Sequence, residues 1–453
     1  MNGKPWQASL VIVVTCLLVR VALAVAVGAY ETFNRTELDK IAMAVAAGRG
    51  FSNAFGQSGE PTTGPTAHCP PVYPILLGLA YGFWGEGLEG ELGKYALNVL
   101  FVALLLGALP FVSAAFGMPW RAGFYAGLFG AAVPIYLMTE LRGGEFALVA
   151  LMLATACVLF QTTLLRPSFG WREAAGHGLL WGILLSTSPS PGPVLVLWLG
   201  LLFLKHQPGP GTAVRFSAVL FVTILLVMLP WTARNYRVLG SPILARSNLG
   251  LELQVSNNEF ATATGYENQA NPVFDLFHPN KALQQRLRYR EIGEVAYHRE
   301  KMREAVAWIR DHPGEFFRLT LLRSWYFWTA PPRRPAQTAL QYLISGLAVF
   351  GLWRLLRTNQ IVGLQLTALW LGFSLIYYFV QFENRYRYPI YWSMLLLAGF
   401  GLTEMSWWRR AEDRVLYRWS ALRRNRRLRQ PARRVGGRTG WCADTNSAPP
   451  KPD

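Results

Sequence analysis

Charge is scarce in this chain. Charged residues make up 15% of it, against roughly 25% in an ordinary soluble domain, and that deficit argues against a soluble enzyme. The four cysteines, Cys16, Cys69, Cys157 and Cys442, are far apart and form no C-x-x-C pair. Neither a zinc site nor a disulfide framework is supported. No repeat of fixed period is visible, and no dense carboxylate cluster demands a metal, so no metal ligands are assigned and the part of a divalent cation stays open. What is abundant is apolar. Hydrophobic residues reach 52%, with 17 Trp and 26 Phe, in runs such as Leu195–Leu204 and Val219–Trp231. Such runs suit a lipid-facing surface with interfacial aromatics, and they exclude disorder for most of the length.

A formal charge of +18 first suggests nucleic acid, but its distribution argues otherwise. Arg409 to Asp453 holds 13 Lys/Arg and 4 Asp/Glu, a net +9, so a tenth of the chain carries half the excess. A basic tail beside a hydrophobic span anchors to anionic headgroups on the cytoplasmic side, which makes membrane lipids the expected partner and not nucleic acid.

Val11–Tyr30 is apolar for about the ~20 residues that cross a bilayer. It is longer than a signal-peptide core and lacks a clear cleavage site, so it reads as a retained span with the N-terminus inside. Further spans are expected near 92–116, 122–138, 146–164, 178–188, 193–205, 216–231, 338–353, 361–380 and 388–406, about ten in all. An even count puts the tail in the cytoplasm. Arg121, Arg166, Arg172, Lys205, Arg215, Arg354 and Arg357 then fall in inside loops, whereas Ser188–Gly192 on the other side has no charge. Count and orientation therefore agree. The chain divides into a membrane part, 1–231, whose first external loop is 31–91; an external subdomain, 232–335; C-terminal spans, 336–408; and the basic tail, 409–453, partly disordered.

Two external regions are long enough to carry chemistry. In the first, Thr36 reads as a helix cap with Asp39 in capping-box position, and Leu38, Ile41, Ala42 and Val45 form one apolar face. Gly48-Arg-Gly50 ends that helix. Glu37 lies in its first turn, where a partly buried carboxylate can take a proton from an incoming hydroxyl or amine. Glu37 and Asp39 can also be read as solvated acids favoured by the helix dipole. Ile75–Trp84 is too short to cross and suits an interfacial helix.

Together these residues resemble the GT-C membrane glycosyltransferases, in the polyprenyl-phosphate-sugar-dependent branch that includes protein O-mannosyltransferases and lipid A aminoarabinose transferases. The resemblance rests on E-x-x-x-I-A from Glu37 to Ala42, A-x-G-R-G-F ending at Phe51, G-P-T-A from Gly64 to Ala67 and P-x-Y-P from Pro71 to Pro74. Pro230-Trp-Thr-Ala-Arg-Asn-Tyr236, Asn248-Leu-Gly-Leu-Glu252 and Arg385-Tyr-Arg-Tyr-Pro389 extend it. It implies an all-α polytopic protein with interfacial helices and an external loop subdomain. It also implies a lipid-linked sugar donor, inverting transfer to a lipid, glycan or protein acceptor at the external face of the inner (plasma) membrane, and an acid in the first loop acting on the acceptor. That role passes to Glu37. Relatives often carry a second acid beside it, where this chain has Leu38, which leaves Asp39 as the alternative.

Arg234, Arg385 and Arg387 are expected at the external surface, where guanidinium groups either pair with phosphate oxygens or simply anchor the protein. Asn248 belongs to the substrate-binding set through its motif. Glu140 and Glu145 flank Arg142. A carboxylate there can face Glu37 across a cavity, bind the acceptor, help hold a divalent ion, or form a salt bridge with Arg142. His68, where relatives often carry an aromatic residue, is either structural or part of the site. Leu283–Asp311 reads as one surface helix ended by Pro313. A transporter or flippase of lipid-linked sugars is the alternative function; it would call for inverted repeats and charge at mid-membrane depth. A noncatalytic scaffold, the third reading, would tolerate loss of Glu37.

Overall fold

Apolar runs and helix breakers decide where this chain coils. The computed structural model describes residues 5–28, 35–333, 335–411 and 414. Among them no strand forms, and only the isolated bridges Ser52 to Pro65 and Thr264 to Phe382 interrupt the helices and turns. Six helices are long and apolar enough to cross a membrane: Pro5–Ala26, Leu88–Ala115, Phe146–Leu165, Pro210–Leu239, Pro335–Thr358 and the stretch Gln360–Tyr378. The chain is a multi-pass membrane protein.

Among the other expected spans, Trp120–Ala132, Trp171–Leu185 and Gly192–His206 have 13, 15 and 15 residues. At 1.5 Å per residue they reach about 20–23 Å, short of the ~30 Å hydrocarbon core. Val133 and Pro134 break the run expected to continue to 138. Asn384–Glu404 is 21 residues long but sits at the centre of the bundle, with 16 of them buried against Pro335–Thr358, Trp120–Ala132 and Phe146–Leu165. A methyl at Gly351 would lie 1.9 Å from the Leu397 carbonyl oxygen, so only glycine permits that crossing.

Pro5–Ala26 shows the lipid-facing pattern. Leu10, Val11, Leu18, Val21 and Val25 are exposed, while Ala8, Ile12, Cys16 and Arg20, one turn apart, are buried. Lipid cannot supply partners to polar groups inside the bundle, and some of them are paired within the protein. Trp198 Nε1 donates to the Gln365 carbonyl (3.0 Å), and Gln365 Nε2 donates to the Cys157 carbonyl (2.6 Å).

The two long segments between spans pack together as a cap on one end of the bundle. Ile41, Phe51, Phe55 and Ala67 share a core with Trp231, Leu251, Val255, Val273, Tyr289 and Tyr297. Helix Glu37–Ala46 lies on Val72–Trp84, and Leu249–Ser256 lies on Glu294–Asp311. Two boundaries differ from expectation. Leu283–Ile292 and Glu294–Asp311 are separate helices because Gly293 takes φ +78°. Pro210–Leu239 runs on past Thr232, so Arg234 lies within a helix rather than in a loop. Residues 406–411, helical, belong to a second unit. The basic, partly disordered tail expected from Arg409 falls almost wholly outside the described residues.

Candidate active site

The helix that carries Glu37 is built as its sequence requires. Asp39 Oδ2 accepts from the Thr36 amide (2.7 Å) and from Thr36 Oγ1 (2.8 Å), closing the capping box. Ala46 is its last residue, followed by Gly48 and Gly50 at φ +72° and +68°. Asp39 Oδ1 accepts from Lys94 Nζ (2.8 Å) and Tyr81 Oη (2.9 Å). Asp39 is 1% exposed, so all its capacity ties the helix to the bundle. Glu37, two residues earlier, points elsewhere because i and i+2 lie on different faces of a helix. It is half-buried, and its Oε1 accepts from Asn280 Nδ2.

The glycine-rich motifs beside it are held both within the first loop and from outside it. The Asn53 amide donates to the Gly64 carbonyl (2.9 Å) and the Thr66 amide to the Phe51 carbonyl (3.0 Å). Buried Glu294 accepts from the Ala67 amide (2.7 Å), Ser247 Oγ (2.6 Å), Thr66 Oγ1 and Tyr289 Oη. Arg234 Nη1 donates to the Thr66 carbonyl (2.7 Å) and Asn235 Oδ1 (2.9 Å), and Nη2 to the Phe51 carbonyl (2.6 Å). Its guanidinium also lies 5.1 Å from the Trp231 ring centre. Arg234 therefore braces the loops that were expected to leave it at a phosphate.

Groups from other segments lie within electrostatic reach of Glu37. Glu145 stands at the head of Phe146–Leu165, with Oε2 buried and without a hydrogen-bond partner. Burial pushes its carboxyl above the ordinary range; the Arg246 and Arg385 guanidinium groups pull it back, and the Glu37 carboxylate adds to the rise. Glu37, Arg246 and Arg385 thus lie within electrostatic reach of Glu145. Arg246 has one carboxylate within 4 Å, Glu252 at 3.8 Å, and its Nε is without a partner. Arg385 Nε also lacks one. Asn248 caps Leu249–Ser256 and donates to Glu252 Oε1 (2.9 Å), setting that acid near both arginines. Buried His278 is pushed below its ordinary pKa by desolvation, against the pull of Glu37 and Glu252.

Other expected site residues lie elsewhere. Arg387 is buried, donating through Nε to Tyr136 Oη (2.9 Å) and through Nη1 to the Phe327 carbonyl (2.6 Å). Arg385 and Arg387 stand on one helix two positions apart, so they cannot flank one phosphate together. Glu140 does not pair with Arg142 or face Glu37: Arg20 reaches it through Nε (2.8 Å) and Nη2 (3.0 Å), and Tyr388 Oη adds a third bond (3.0 Å). Arg20 and Glu140 are an ion pair buried in the bundle, 120 residues apart in sequence. His68 is buried, stacked 5.9 Å from His298 and edge-on to Phe55. Burial pushes both histidines below their ordinary pKa, with the Arg246 charge adding to the effect.

Arg246, His278, Asn280 and Glu294 were not singled out in the sequence. Gly293 ahead of Glu294 marks a break that composition could have flagged; nothing local marks the others. Among the described residues no group of three or more His, Cys, Asp or Glu is placed to hold a metal ion.

No protein-family model matches the chain, and no curated protein does. Solved structures do. The oligosaccharyltransferase of Archaeoglobus fulgidus in its apo form aligns over 91% of this chain and 52% of its own, at 14% identity and a TM-score of 0.55. Oligosaccharyltransferase AglB from the same organism, in complex with an inhibitory peptide and a dolichol-phosphate, covers 96% of this chain and 52% of its own, at 12% identity and a TM-score of 0.50. ArnT from Cupriavidus metallidurans bound to undecaprenyl phosphate aligns over 85% of this chain and 77% of its own, at 12% identity; its TM-score of 0.38 adds nothing to the assignment. This chain spans about half the length of the archaeal enzymes. At such identities the likeness is one of architecture, and the architecture of this multi-pass helical protein is the GT-C glycosyltransferase fold.

Proposed function

We propose that the chain is a glycosyltransferase that takes a sugar from a polyprenyl-phosphate carrier and joins it, with inversion, to a hydroxyl or amine of a lipid, glycan or protein acceptor. One observation carries the reading: Glu37 is half-buried on a capped helix, with one carboxylate oxygen held by Asn280, and lies within electrostatic reach of Glu145, which also feels Arg246 and Arg385. The Glu37 carboxylate takes the acceptor proton as the acceptor atom bonds to the anomeric carbon. The bond from that carbon to the phosphate oxygen breaks, and its electron pair leaves with the polyprenyl phosphate. Arg385 and Arg246 stabilise the charge that develops there. Arg234 and Arg387 act as braces, and Asp39 as an anchor. A lipid phosphate of this kind accompanies the archaeal oligosaccharyltransferase in its complex.

Orientation follows the positive-inside rule. Arg166, Lys205 and Arg357 lie at helix ends away from the cap, which supports a cap on the external face of the plasma membrane with both termini in the cytoplasm. The test is to incubate purified full-length protein with polyprenyl-phosphate sugars and follow release of the lipid phosphate. Release by wild type and a loss of at least about 100-fold in folded Glu37→Gln is expected. Undiminished release in the variant removes Glu37 as the base, and movement of intact donor across a vesicle membrane without release would make the chain a transporter.

A further inference from the structure

The turn that joins Val273–Phe277 to Leu283–Ile292 reaches the active-site helix from 240 residues away and commits one side chain to it. All four polar functions of Asn280 are used. Its Nδ2 donates to Glu37 Oε1, and its Oδ1 accepts from Lys40 Nζ (3.3 Å). Its carbonyl accepts from Gln57 Nε2 (3.0 Å), and its amide donates to His278 Nδ1 (3.2 Å). The turn is itself held: the Lys281 and Ala282 amides donate to the His278 carbonyl (3.0 and 2.9 Å), and Arg286 Nη1 donates to the Pro279 carbonyl (2.8 Å).

The carboxamide has only one workable orientation. Its NH2 can serve only an acceptor, and Glu37 supplies the anion; its oxygen can serve only a donor, and Lys40 supplies the cation. Glu37 and Lys40 are i and i+3 on one helix and would otherwise meet directly. With the amide between them, Lys40 is kept off the carboxylate and Glu37 Oε1 is tied down. Among the described residues nothing donates to Glu37 Oε2, so that oxygen is left for the acceptor.

We propose that Asn280 is a positioning residue, which separates Glu37 from Lys40 and aims the free carboxylate oxygen at the acceptor. The inference rests on Glu37 being the base. Other titratable groups act on the pair or feel it: Asp39 on the same helix, His278 in the turn, Glu145 at the head of Phe146–Leu165, Cys69 in the motif loop, and Arg286 and Glu60. None of these occupies the gap that Asn280 fills.

The experiment uses full-length protein in detergent, lipid-phosphate release as the readout, and thermal unfolding as the check of folding. Asn280→Ala is expected to lower kcat about 10-fold or more while KM for the donor stays within about 2-fold, since a misaimed base loses rate rather than binding. Asn280→Asp keeps the shape but puts a second carboxylate against Glu37, and its pH–rate profile is expected to move its acid limb upward by about one unit. Adding Lys40→Met to Asn280→Ala is expected to restore part of kcat, because the competing ammonium is gone. A merely structural Asn280 would yield neither the profile shift nor this rescue. If Asn280→Ala does not fold, the isosteric Asn280→Asp decides alone. Unchanged kcat in Asn280→Ala, or an unmoved acid limb in Asn280→Asp while Glu37→Gln is inactive, overturns the inference. An active Glu37→Gln overturns the base assignment instead.

Discussion

Replacing Asp39 by asparagine asks which of two neighbouring acids is structural. In the native fold Asp39 receives four hydrogen bonds, from the Thr36 amide, Thr36 Oγ1, Tyr81 Oη and Lys94 Nζ. Its partner Lys94 is 2% exposed, so loss of the aspartate charge leaves an ammonium buried among helices. Removing one partner of a buried pair costs about 3–5 kcal/mol. Glu91 Oε2 remains 2.6 Å from Lys94, which places the cost at the lower end. The amide keeps one acceptor oxygen for the cap, so the capping loss adds at most about 1 kcal/mol. Asp39→Asn should therefore lose about 3 kcal/mol, read as a lower unfolding midpoint in detergent. Asp39→Asn combined with Lys94→Met should recover most of it, because no unpaired charge is then buried. At a temperature where the double variant is folded, lipid-phosphate release should stay within a few-fold of wild type. A folded but inactive double variant, with Glu37 intact, would make Asp39 the reacting acid and refute the reasoning.

Arg385 and Arg387 should separate by phenotype. Arg385→Lys is expected to raise donor KM and leave the unfolding midpoint unchanged, as a point charge replaces a bidentate one; Arg387→Lys is expected to lower the midpoint through its lost bonds to Tyr136 and Phe327, and the opposite pattern would reverse the roles assigned to them. The cap should also weaken in acid. Burial, then the charges of Arg246 and His278, hold His298 down at about 3, and His68 and His278 are lowered too. Such groups contribute stability in full above the unfolded value near 6.5, and lose it as pH falls from there towards the folded value, at about 1.4 kcal/mol per pH unit for each. Amide exchange in Glu294–Asp311, corrected for intrinsic rates, should be faster at pH 5 than at pH 7, and His298→Phe should shrink the difference. A pH-independent exchange would rule out buried neutral histidines.

Much of the cap's first segment could be read from neighbouring residues. Thr36 and Asp39 announce a helix start, Gly48 and Gly50 its end, and both do what short-range geometry demands. The short apolar stretch before Trp84 forms a helix of 13 residues. Gly293 was legible in principle, since a glycine amid a helical period invites a break. Residues whose roles depend on distant partners could not be read this way. Glu140 was read in the sequence either as facing Glu37 or as pairing with its neighbour Arg142, but finds Arg20. Arg234 was expected at a phosphate and instead holds Phe51 and Thr66. Of about ten expected spans, several read as short or broken by proline, six are helices long and apolar enough to cross, while Trp120–Ala132, Trp171–Leu185 and Gly192–His206 are shorter.

By itself the order of amino acids determined that this chain is helical, membrane-embedded and able to offer an acid at a capped helix start. Those properties rest on hydropathy averaged over ~20 residues and on hydrogen bonds that reach three or four positions, all contained within one stretch. Only tertiary structure decided that Asp39 is tied to Lys94 and Tyr81, that Arg234 and Arg387 brace backbone carbonyls, and that Asn280 meets Glu37 across 243 residues. Such pairings depend on how whole helices pack, and no local rule encodes which distant side chain packing will deliver.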